Sequence, residues 1–221
     1  MQNSKIPRGL YGITPEWDDI DKLIKAVYEA SKGGMQILQL RRKKTSYDTI
    51  KKQAVELIKV CADLDVKLII NDFWKLALEL GADGFHLGLE DCSIKDIEEK
   101  VKTGLIVGTS CYNDIERAKI LVESGVDYIA FGAVFPSITK PLAPHVSLNI
   151  LKTARSMINI NTPYSIVAIG GITVDKIPQI IESDIDNIAV INGLFESENI
   201  FNTAQKYSSA FNSTKKQNHD E

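Results

Sequence analysis

The sequence lacks several features that would assign it to a specialised class of protein. It has only three cysteines, an odd number without the spacing of a metal site, so no disulfide framework is expected. Its net charge of −3 gives no overall attraction for nucleic acid or acidic membranes. No apolar run approaches membrane-spanning length, and the N-terminal residues lack the apolar core of a signal peptide. These absences predict a cytoplasmic protein with reduced thiols and without nucleic-acid or membrane partners.

Motifs of several common enzyme mechanisms are missing as well. The sequence contains no Gly-x-Gly-x-x-Gly segment, no zinc-binding spacing and no Ser-His-Asp arrangement. Dinucleotide-dependent, zinc-dependent and serine-hydrolase functions therefore lose support. No linker or break in composition divides the 221 residues, so a single domain is expected.

What the sequence does have is a regular alternation of short apolar runs and amphipathic segments. The segments carry apolar residues at helical spacing, as at Ile20, Leu23, Ile24 and Val27. The runs are almost continuously apolar, which is typical of parallel strands covered on both faces. We predict eight strands, at residues 10–14, 36–40, 67–70, 84–87, 105–109, 128–131, 166–169 and 187–191.

Eight strand–helix units in one domain favour an α/β fold of the (β/α)8 TIM-barrel type, with a parallel eight-stranded sheet. We assign residues 1–211 to this barrel and residues 212–221 to a polar, disordered tail. Gly-x-Asp steps before the strands, at 81–83 and 125–127, suggest recurring units. Because such barrels carry their chemistry at the C-terminal ends of the strands, the strand positions also predict where the site lies.

Two aspartates follow predicted strands closely. Asp72 comes directly after the third strand and Asp91 shortly after the fourth, so both could reach the barrel mouth. Mg²⁺ is typically held by one or two carboxylates together with substrate phosphates, which suits this pair. The alternative, equally compatible with position, is that each aspartate only caps the helix that follows it.

Basic residues follow the second strand in the run Arg41-Arg42-Lys43-Lys44. If the strand alternation continues, Arg41 and Lys43 share one face while Arg42 and Lys44 point away. Arginine offers a bidentate fork for phosphate oxygens and lysine a point charge. With Lys140, these residues suit a metal–diphosphate site, although a solvated charge run is the alternative.

Glycines at the ends of the last two strands predict a second phosphate site. Gly170-Gly171 ends the seventh strand and Ile191-Asn192-Gly193 the eighth, where barrels frequently hold a phosphate. The hydroxyls of Ser137 and Thr139 could complete it. A Gly-Gly pair could instead only make a tight turn.

His86, inside the predicted fourth strand, is interpreted as a hydrogen-bonded core histidine.

Together these segments resemble the thiamine-phosphate synthase (thiamine-phosphate pyrophosphorylase) family along nearly the whole chain. The matching motifs are Gln39-Leu40-Arg41-x-Lys43, Asn71-Asp72, His86-Leu87-Gly88-x-x-Asp91, Gly108-x-Ser110, Phe135-Pro136-Ser137-x-Thr139-Lys140 and Ala168-Ile169-Gly170-Gly171-Ile172. The resemblance implies a transferase that joins 4-amino-2-methyl-5-hydroxymethylpyrimidine diphosphate to hydroxyethylthiazole phosphate and releases diphosphate, with Mg²⁺ as cofactor.

The resemblance also implies residue roles. The metal ligands would be Asp72 and Asp91. Contacts to the pyrimidine diphosphate would come from Gln39, Leu40, Arg41, Arg42, Lys43, Asn71, Ser110 and Lys140. Of these, the residues implied in catalysis are Arg41, Lys43, Ser110 and Lys140. Contacts to the thiazole phosphate would come from Ser137, Ile138, Thr139, Gly171, Ile191 and Asn192.

Three segments depart from the family pattern. Leu89 replaces a common glutamine, Cys111-Tyr112 follows Ser110 where Ser-x-His is frequent, and the eighth strand reads Ala-Val-Ile-Asn-Gly, which includes Asn192, where Val-Ser-Ala is usual. A related thiazole tautomerase, which relies on that histidine, is the nearest alternative. Another phosphate-binding barrel enzyme and a non-catalytic phosphate-binding barrel are further ones. The expected partners are the small-molecule substrates, and a homo-oligomer is left open.

Overall fold

Eight parallel strands close into a barrel in the computed structural model, which describes residues 5–88, 93–136, 145–157 and 163–216. Each strand pairs with the next along the chain, and the last pairs with the first. The predicted fold class is thereby confirmed. The strands are β1 Gly9–Ile13, β2 Met35–Leu40, β3 Lys67–Asn71, β4 Gly84–Leu87, β5 Ile106–Tyr112, β6 Tyr128–Phe131, β7 Ser165–Ile169 and β8 Asn187–Val190.

Helices in the described ranges cover the outside of the barrel, and none of them is long and apolar enough to cross a membrane. They are α1 Ile20–Lys32, α2 Tyr47–Asp63, α3 Trp74–Leu80, α4 Ile94–Val101, α5 Ile115–Glu123, α6 Leu148–Met157, α7 Ile177–Ile181, α8 Asn192–Phe195 and α9 Ile200–Lys216. The last helix, α9, continues past the domain boundary predicted at residue 211 and ends at Lys216.

Strand β5 extends beyond its predicted end at residue 109. Its pairing with β6 shifts by one residue between Ser110 and Tyr112, so that Cys111 is the extra residue of a bulge. Tyr112, at the end of the strand, has a positive φ of 53°. Ser110 therefore lies inside the strand rather than in the loop after it.

Two apolar layers hold the barrel together. The outer layer lies between the strands and the helices, and the inner layer fills the barrel with side chains such as Ile37, Ile69 and Val167. Tyr128 also points inward, and its ring lies where a Cβ atom on Gly108 would be, only 1.8 Å from a ring atom. Glycine at position 108 is therefore required by the tyrosine on the neighbouring strand.

Three aspartates just before β4, β6 and β8 tie the N-terminal end of the barrel. Each accepts a hydrogen bond from a backbone N–H near the start of the preceding strand: Asp83 from Leu68 (2.9 Å), Asp127 from Val107 (2.8 Å) and Asp186 from Ile166 (2.9 Å). This repeated contact gives a physical reason for the recurring Asp steps in the sequence. It lies at the end of the barrel opposite the predicted site.

We expect Asp127→Ala to lower the free energy of unfolding by about 1–3 kcal/mol, because the buried N–H of Val107 would lose its acceptor. Urea denaturation would measure the loss. Asp63→Ala, at the exposed end of α2, is the matched control and should leave the unfolding midpoint nearly unchanged. Equal midpoints for both variants would contradict a stabilising role for this contact.

Candidate active site

A cavity of about 520 Å³ opens at the C-terminal ends of the strands. All eight strands contribute side chains or backbone to its wall, so it occupies the mouth of the barrel. Among the predicted pyrimidine-contacting residues, Gln39, Asn71 and Ser110 line it from β2, β3 and β5. The site predicted from the strand ends therefore coincides with a real concave surface, as is usual for this fold.

The basic run after β2 divides between two environments. Arg41 and Lys43 line the cavity. Arg42 turns away, and its side chain is only 2% exposed, with hydrogen bonds to Asp18 (2.6 Å), Gln53 (2.8 Å) and the Trp17 carbonyl. The alternation of the strand thus continues past Leu40, which itself packs in the outer apolar layer.

The structure consequently does not bring the side chains of Leu40 and Arg42 to the cavity, although both belong to the predicted diphosphate-contacting set. Any contact that these two residues make with substrate would come from their backbone. The reason is the period of two in an extended chain, which sends neighbouring side chains to opposite faces.

Glu16 fixes the segment that carries the two cavity-facing basic residues. Its carboxylate accepts hydrogen bonds from the Lys43 backbone N–H (2.8 Å) and from Arg42 Nε (3.2 Å), and Arg41 Nη1 lies 3.9 Å away. Burial alone would raise the pKa of Glu16, but these hydrogen bonds outweigh it and hold that pKa below its usual value. The backbone N–H of Arg41 is bound in turn by the hydroxyl of Thr14 (2.9 Å).

Asp72 lies at the cavity wall directly after β3, with a left-handed backbone conformation (φ 64°) that aspartate tolerates better than most residues. Its carboxylate forms an ion pair with the ammonium group of Lys43. Helix α3 begins at Trp74 with Phe73 as its N-cap and has no side-chain cap. The capping alternative for Asp72 is therefore wrong.

Asp91 lies outside the described residues, but the start of the following helix is described. Helix α4 is capped by Ser93, which forms a capping box with Asp96. The predicted cap position is therefore already taken by another residue. Ser137, Ile138, Thr139 and Lys140 also lie outside the described residues, so their placement stays a prediction.

The described ranges contain no group of three or more His, Cys, Asp or Glu side chains that could hold a metal ion. Asp72 is the predicted metal ligand that the structure describes, and it offers hard oxygen atoms beside a basic cluster. Mg²⁺ keeps several water ligands and needs only one or two carboxylates, so the donor chemistry fits this ion.

At the ends of β7 and β8, the described residues that line the cavity are uncharged, and glycine backbone forms part of the wall. Gly170 and Gly171 have φ values of 102° and 60°, and a Cβ atom on Gly171 would lie 2.3 Å from the Pro136 carbonyl oxygen. Ile191 and Asn192, where α8 begins, line the same part of the wall. The predicted phosphate residues Gly171, Ile191 and Asn192 are therefore brought together, with Gly171 four strands and the other two three strands away from Asp72 around the barrel.

The sequence interpretation missed part of the lining. His86 is predicted only as a core histidine; it is buried at 6% exposure, yet it also lines the cavity. Its ring nitrogens contact the Tyr128 hydroxyl (3.0 Å) and the Ser110 hydroxyl (2.9 Å). Tyr11 and Tyr112 line the cavity too. For Tyr11 and His86, a polar group inside an otherwise apolar strand run is the local signal in the sequence.

Comparisons with known proteins agree with this geometry. A family model described as thiamine monophosphate synthase matches residues 10–194. The thiamine-phosphate synthase of Bordetella pertussis is 46% identical over 214 residues, which cover 96% of this chain and 98% of that protein. The thiamine-phosphate synthase of Nitrosomonas eutropha is 38% identical over 203 residues, 92% of this chain and 94% of that protein.

A solved structure extends the similarity to three dimensions. The thiamine phosphate pyrophosphorylase from Pyrococcus furiosus matches with a TM-score of 0.81 at 27% identity, over 93% of this chain and 96% of that chain. Its barrel and that of this chain share the same closed architecture. The matched segment includes every described residue predicted to line the site. The chain belongs to the thiamine-phosphate synthase family, a family of transferases.

Proposed function

We propose that this protein condenses 4-amino-2-methyl-5-hydroxymethylpyrimidine diphosphate with hydroxyethylthiazole phosphate, giving thiamine phosphate and diphosphate. The observation that carries the proposal is the cluster of Arg41, Lys43 and Asp72 on one side of the cavity, where Lys43 pairs with Asp72. The glycine-lined wall at Gly171 stands four strands away. Two separate anion sites suit two phosphorylated substrates.

The reaction needs charge stabilisation more than a protein nucleophile. The bond between the pyrimidine methylene carbon and the diphosphate oxygen breaks, and diphosphate leaves with the electron pair. The resulting benzylic-type cation is then captured by the lone pair of the thiazole nitrogen, which forms the new C–N bond. Holding both substrates together and stabilising the leaving group supply the catalysis.

Residues on the β2–β5 side would bind the pyrimidine diphosphate. Arg41 would grip phosphate oxygens with its fork, Lys43 would add a point charge, and Lys140 is predicted to join them. Gln39, Asn71 and Ser110 would orient the pyrimidine ring from the strands themselves. Asp72, with Asp91, would hold Mg²⁺, which when bound neutralises charge on the departing diphosphate.

Residues on the β6–β8 side would bind the thiazole phosphate. The close approach of Gly171 to the Pro136 carbonyl leaves the backbone, rather than side chains, at the wall. Ile191 and Asn192 lie beside it, and Ser137, Ile138 and Thr139 are predicted to add hydroxyl and backbone contacts. A monophosphate carries less charge than a diphosphate, so hydrogen-bonding backbone without a cluster of cations suits it.

The setting is proposed to be cytoplasmic, with the two small molecules as the ligands and no nucleic-acid or membrane partner. Two features support it: the net charge of −3 and the buried thiols of Cys61 and Cys111. Burial raises the pKa of each of these two thiols to about 12, so neither is a ready nucleophile or metal ligand at neutral pH.

Direct assay of the purified protein tests the reaction. Incubation with both substrates and Mg²⁺ should yield thiamine phosphate and diphosphate, identified by mass spectrometry, and omission of either substrate should abolish both products. Hydroxyethylthiazole without its phosphate is the matched control for the second anion site and should react poorly. A folded protein that forms no thiamine phosphate would defeat the proposal.

A further inference from the structure

Five polar side chains form one continuous hydrogen-bonded chain across the cavity. Gln39 Nε2 donates to the Tyr11 hydroxyl (2.8 Å), which lies 2.9 Å from the Tyr128 hydroxyl. The Tyr128 hydroxyl lies 3.0 Å from His86 Nδ1, and His86 Nε2 lies 2.9 Å from Ser110 Oγ. We call this chain the relay. Its members lie, in this order, on β2, β1, β6, β4 and β5, so the relay connects strands that are far apart in the sequence.

The hydrogens that the members of the relay can donate are defined by their chemistry. Burial raises the pKa of Tyr11 and of Tyr128 well above the usual value, so both tyrosines keep their single hydroxyl hydrogen. The amide nitrogen of Gln39 can only donate. A neutral imidazole has one nitrogen that donates and one that accepts, and the hydrogen bond at one nitrogen decides the role of the other.

These donor and acceptor roles fix one direction of donation along the relay, from Gln39 toward Ser110. Because Gln39 donates to Tyr11, the hydrogen of Tyr11 is directed to Tyr128, and the hydrogen of Tyr128 to His86 Nδ1. His86 Nδ1 then accepts, so the histidine hydrogen is on Nε2 and is donated to Ser110 Oγ. With the opposite direction, the Tyr11 hydrogen would lose the hydroxyl partner that the relay provides, inside a fully buried environment.

Packing holds the relay in this arrangement. The His86 and Tyr128 rings stack with centroids 5.6 Å apart, and Tyr11 meets Tyr128 edge to face at 5.9 Å. Gly108 leaves the space that the Tyr128 ring fills. The rings therefore have little freedom to rotate, and the direction of the hydrogen bonds is built in before a substrate arrives.

We propose that the relay turns Ser110 into a hydrogen-bond donor toward the substrate, with Tyr128 and His86 as positioning residues. Since Ser110 already accepts from His86, its own hydrogen is directed into the cavity that it lines. The group recognised there is an acceptor, such as the lone pair of a pyrimidine ring nitrogen. The substrate part of this inference rests on the proposed function; the direction of the relay does not.

The opposite tautomer of His86 would reverse the selectivity. With the hydrogen on Nδ1, the Nε2 lone pair would take the hydrogen of Ser110, and the serine would then present only lone pairs to the cavity. A ring nitrogen facing that oxygen would be repelled rather than bound. The relay thus decides whether the site selects an acceptor or a donor at this position, a difference of roughly tenfold for one neutral hydrogen bond.

Nitrogen-15 spectroscopy of the substrate-free protein tests the direction. Long-range ¹H–¹⁵N correlation should show His86 with a protonated Nε2 and an unprotonated Nδ1 at a pH where the ring is neutral. The chain has three histidines, so the spectrum of His86→Gln would assign the signals. A wild-type spectrum with the hydrogen on Nδ1 would overturn the inference, and this readout does not depend on activity.

Tyr128→Phe removes one hydroxyl and keeps the ring. We expect the His86 signals to move toward exchanging tautomers and KM for the pyrimidine diphosphate to rise roughly tenfold, with KM for the thiazole phosphate unchanged. Tyr207→Phe removes another buried hydroxyl, bound to the Ile172 carbonyl at 2.9 Å, and should leave the His86 signals as in the wild type. Unchanged His86 signals and unchanged KM in Tyr128→Phe would also overturn the inference.

Failure of the proposed function would give a different result. The wild-type protein would then show the expected Nε2-protonated His86 but would form no thiamine phosphate from the two substrates. That outcome would overturn the pyrimidine as the ligand of Ser110, whereas the direction of the relay would be upheld by the spectrum.

Discussion

Arg41→Ala should lower kcat/KM for the pyrimidine diphosphate by a factor on the order of 10²–10³, the usual loss of one preorganised charge-stabilising donor. The side chain of Arg41 lines the cavity, is 18% exposed and lies 3.9 Å from Glu16, so it is held near its place without being needed for the fold. Steady-state kinetics with the product measured by mass spectrometry would give the ratio, and the unfolding midpoint should stay close to that of the wild type.

The neighbouring arginine is the matched control, because its substitution by alanine should lower stability and leave substrate binding unchanged. Arg42→Ala removes a side chain that is 2% exposed and bound to Glu16, Asp18 and Gln53. Removing this buried guanidinium takes a hydrogen-bond donor from Gln53 Oε1 and from the Trp17 carbonyl, which costs about 1–3 kcal/mol and, for a chain of this size, about 2–12 °C in Tm. At a temperature where the variant is folded, KM for both substrates should be unchanged.

This pair of variants separates two interpretations of the basic run. Near-wild-type turnover in Arg41→Ala would remove arginine from the diphosphate site. Equal losses of activity in the two folded variants would show that the segment acts through its backbone instead. Only a loss of rate at residue 41 together with a loss of stability at residue 42 agrees with the observed alternation.

Removal of the metal is the second change with a large expected effect. Chelation by EDTA should abolish turnover, and readdition of Mg²⁺ should restore it, because charge on the leaving diphosphate would otherwise stay unneutralised. Asp72→Asn should lower kcat by about 10² or more and shift the Mg²⁺ dependence to higher concentration. The amide keeps the shape of the side chain but loses the charge that pairs with Lys43 and that would hold the ion.

Asp63→Asn, an exposed aspartate at the end of α2, is the control for this substitution and should leave the Mg²⁺ dependence unchanged. Full activity in EDTA would remove the metal from the proposal. Unchanged kinetics in Asp72→Asn, with activity still lost in EDTA, would instead require that the metal be held by other residues, Asp91 first among them.

The fold was largely predictable because its signal is local. Continuous β-branched runs mark parallel strands, and the predicted ranges agree with the observed ones to within one residue at most ends. Strand β5 is the exception. Its last residues, Ser110, Cys111 and Tyr112, are not a continuous apolar run, and the bulge that accommodates them depends on pairing with β6. The pairing of two strands cannot be predicted from the sequence of either strand alone.

The site was predictable in part for the same reason. Arg41, Lys43 and Asp72 could be found because each directly follows a strand, and the fold places such positions at the cavity. Tyr11, His86 and Tyr128 were not found, because each lies inside an apolar run and its role depends on a distant partner. The Tyr11–Tyr128 contact joins residues 117 positions apart. The alternation of the strand predicts that Arg42 points away from the cavity, but its partners Asp18 and Gln53 lie on other segments and could not be predicted.

Gly108 and Tyr128 have a consequence for how this sequence can change over evolutionary time. A side chain larger than hydrogen at position 108 has no room while the tyrosine ring is present, because its Cβ atom would lie 1.8 Å from that ring. A smaller residue at position 128 would make room but would remove the hydroxyl that bonds His86. A substitution at either position alone therefore disrupts the packing or removes this hydrogen bond. We expect the packing of the barrel wall and the orientation of Ser110 to be conserved together.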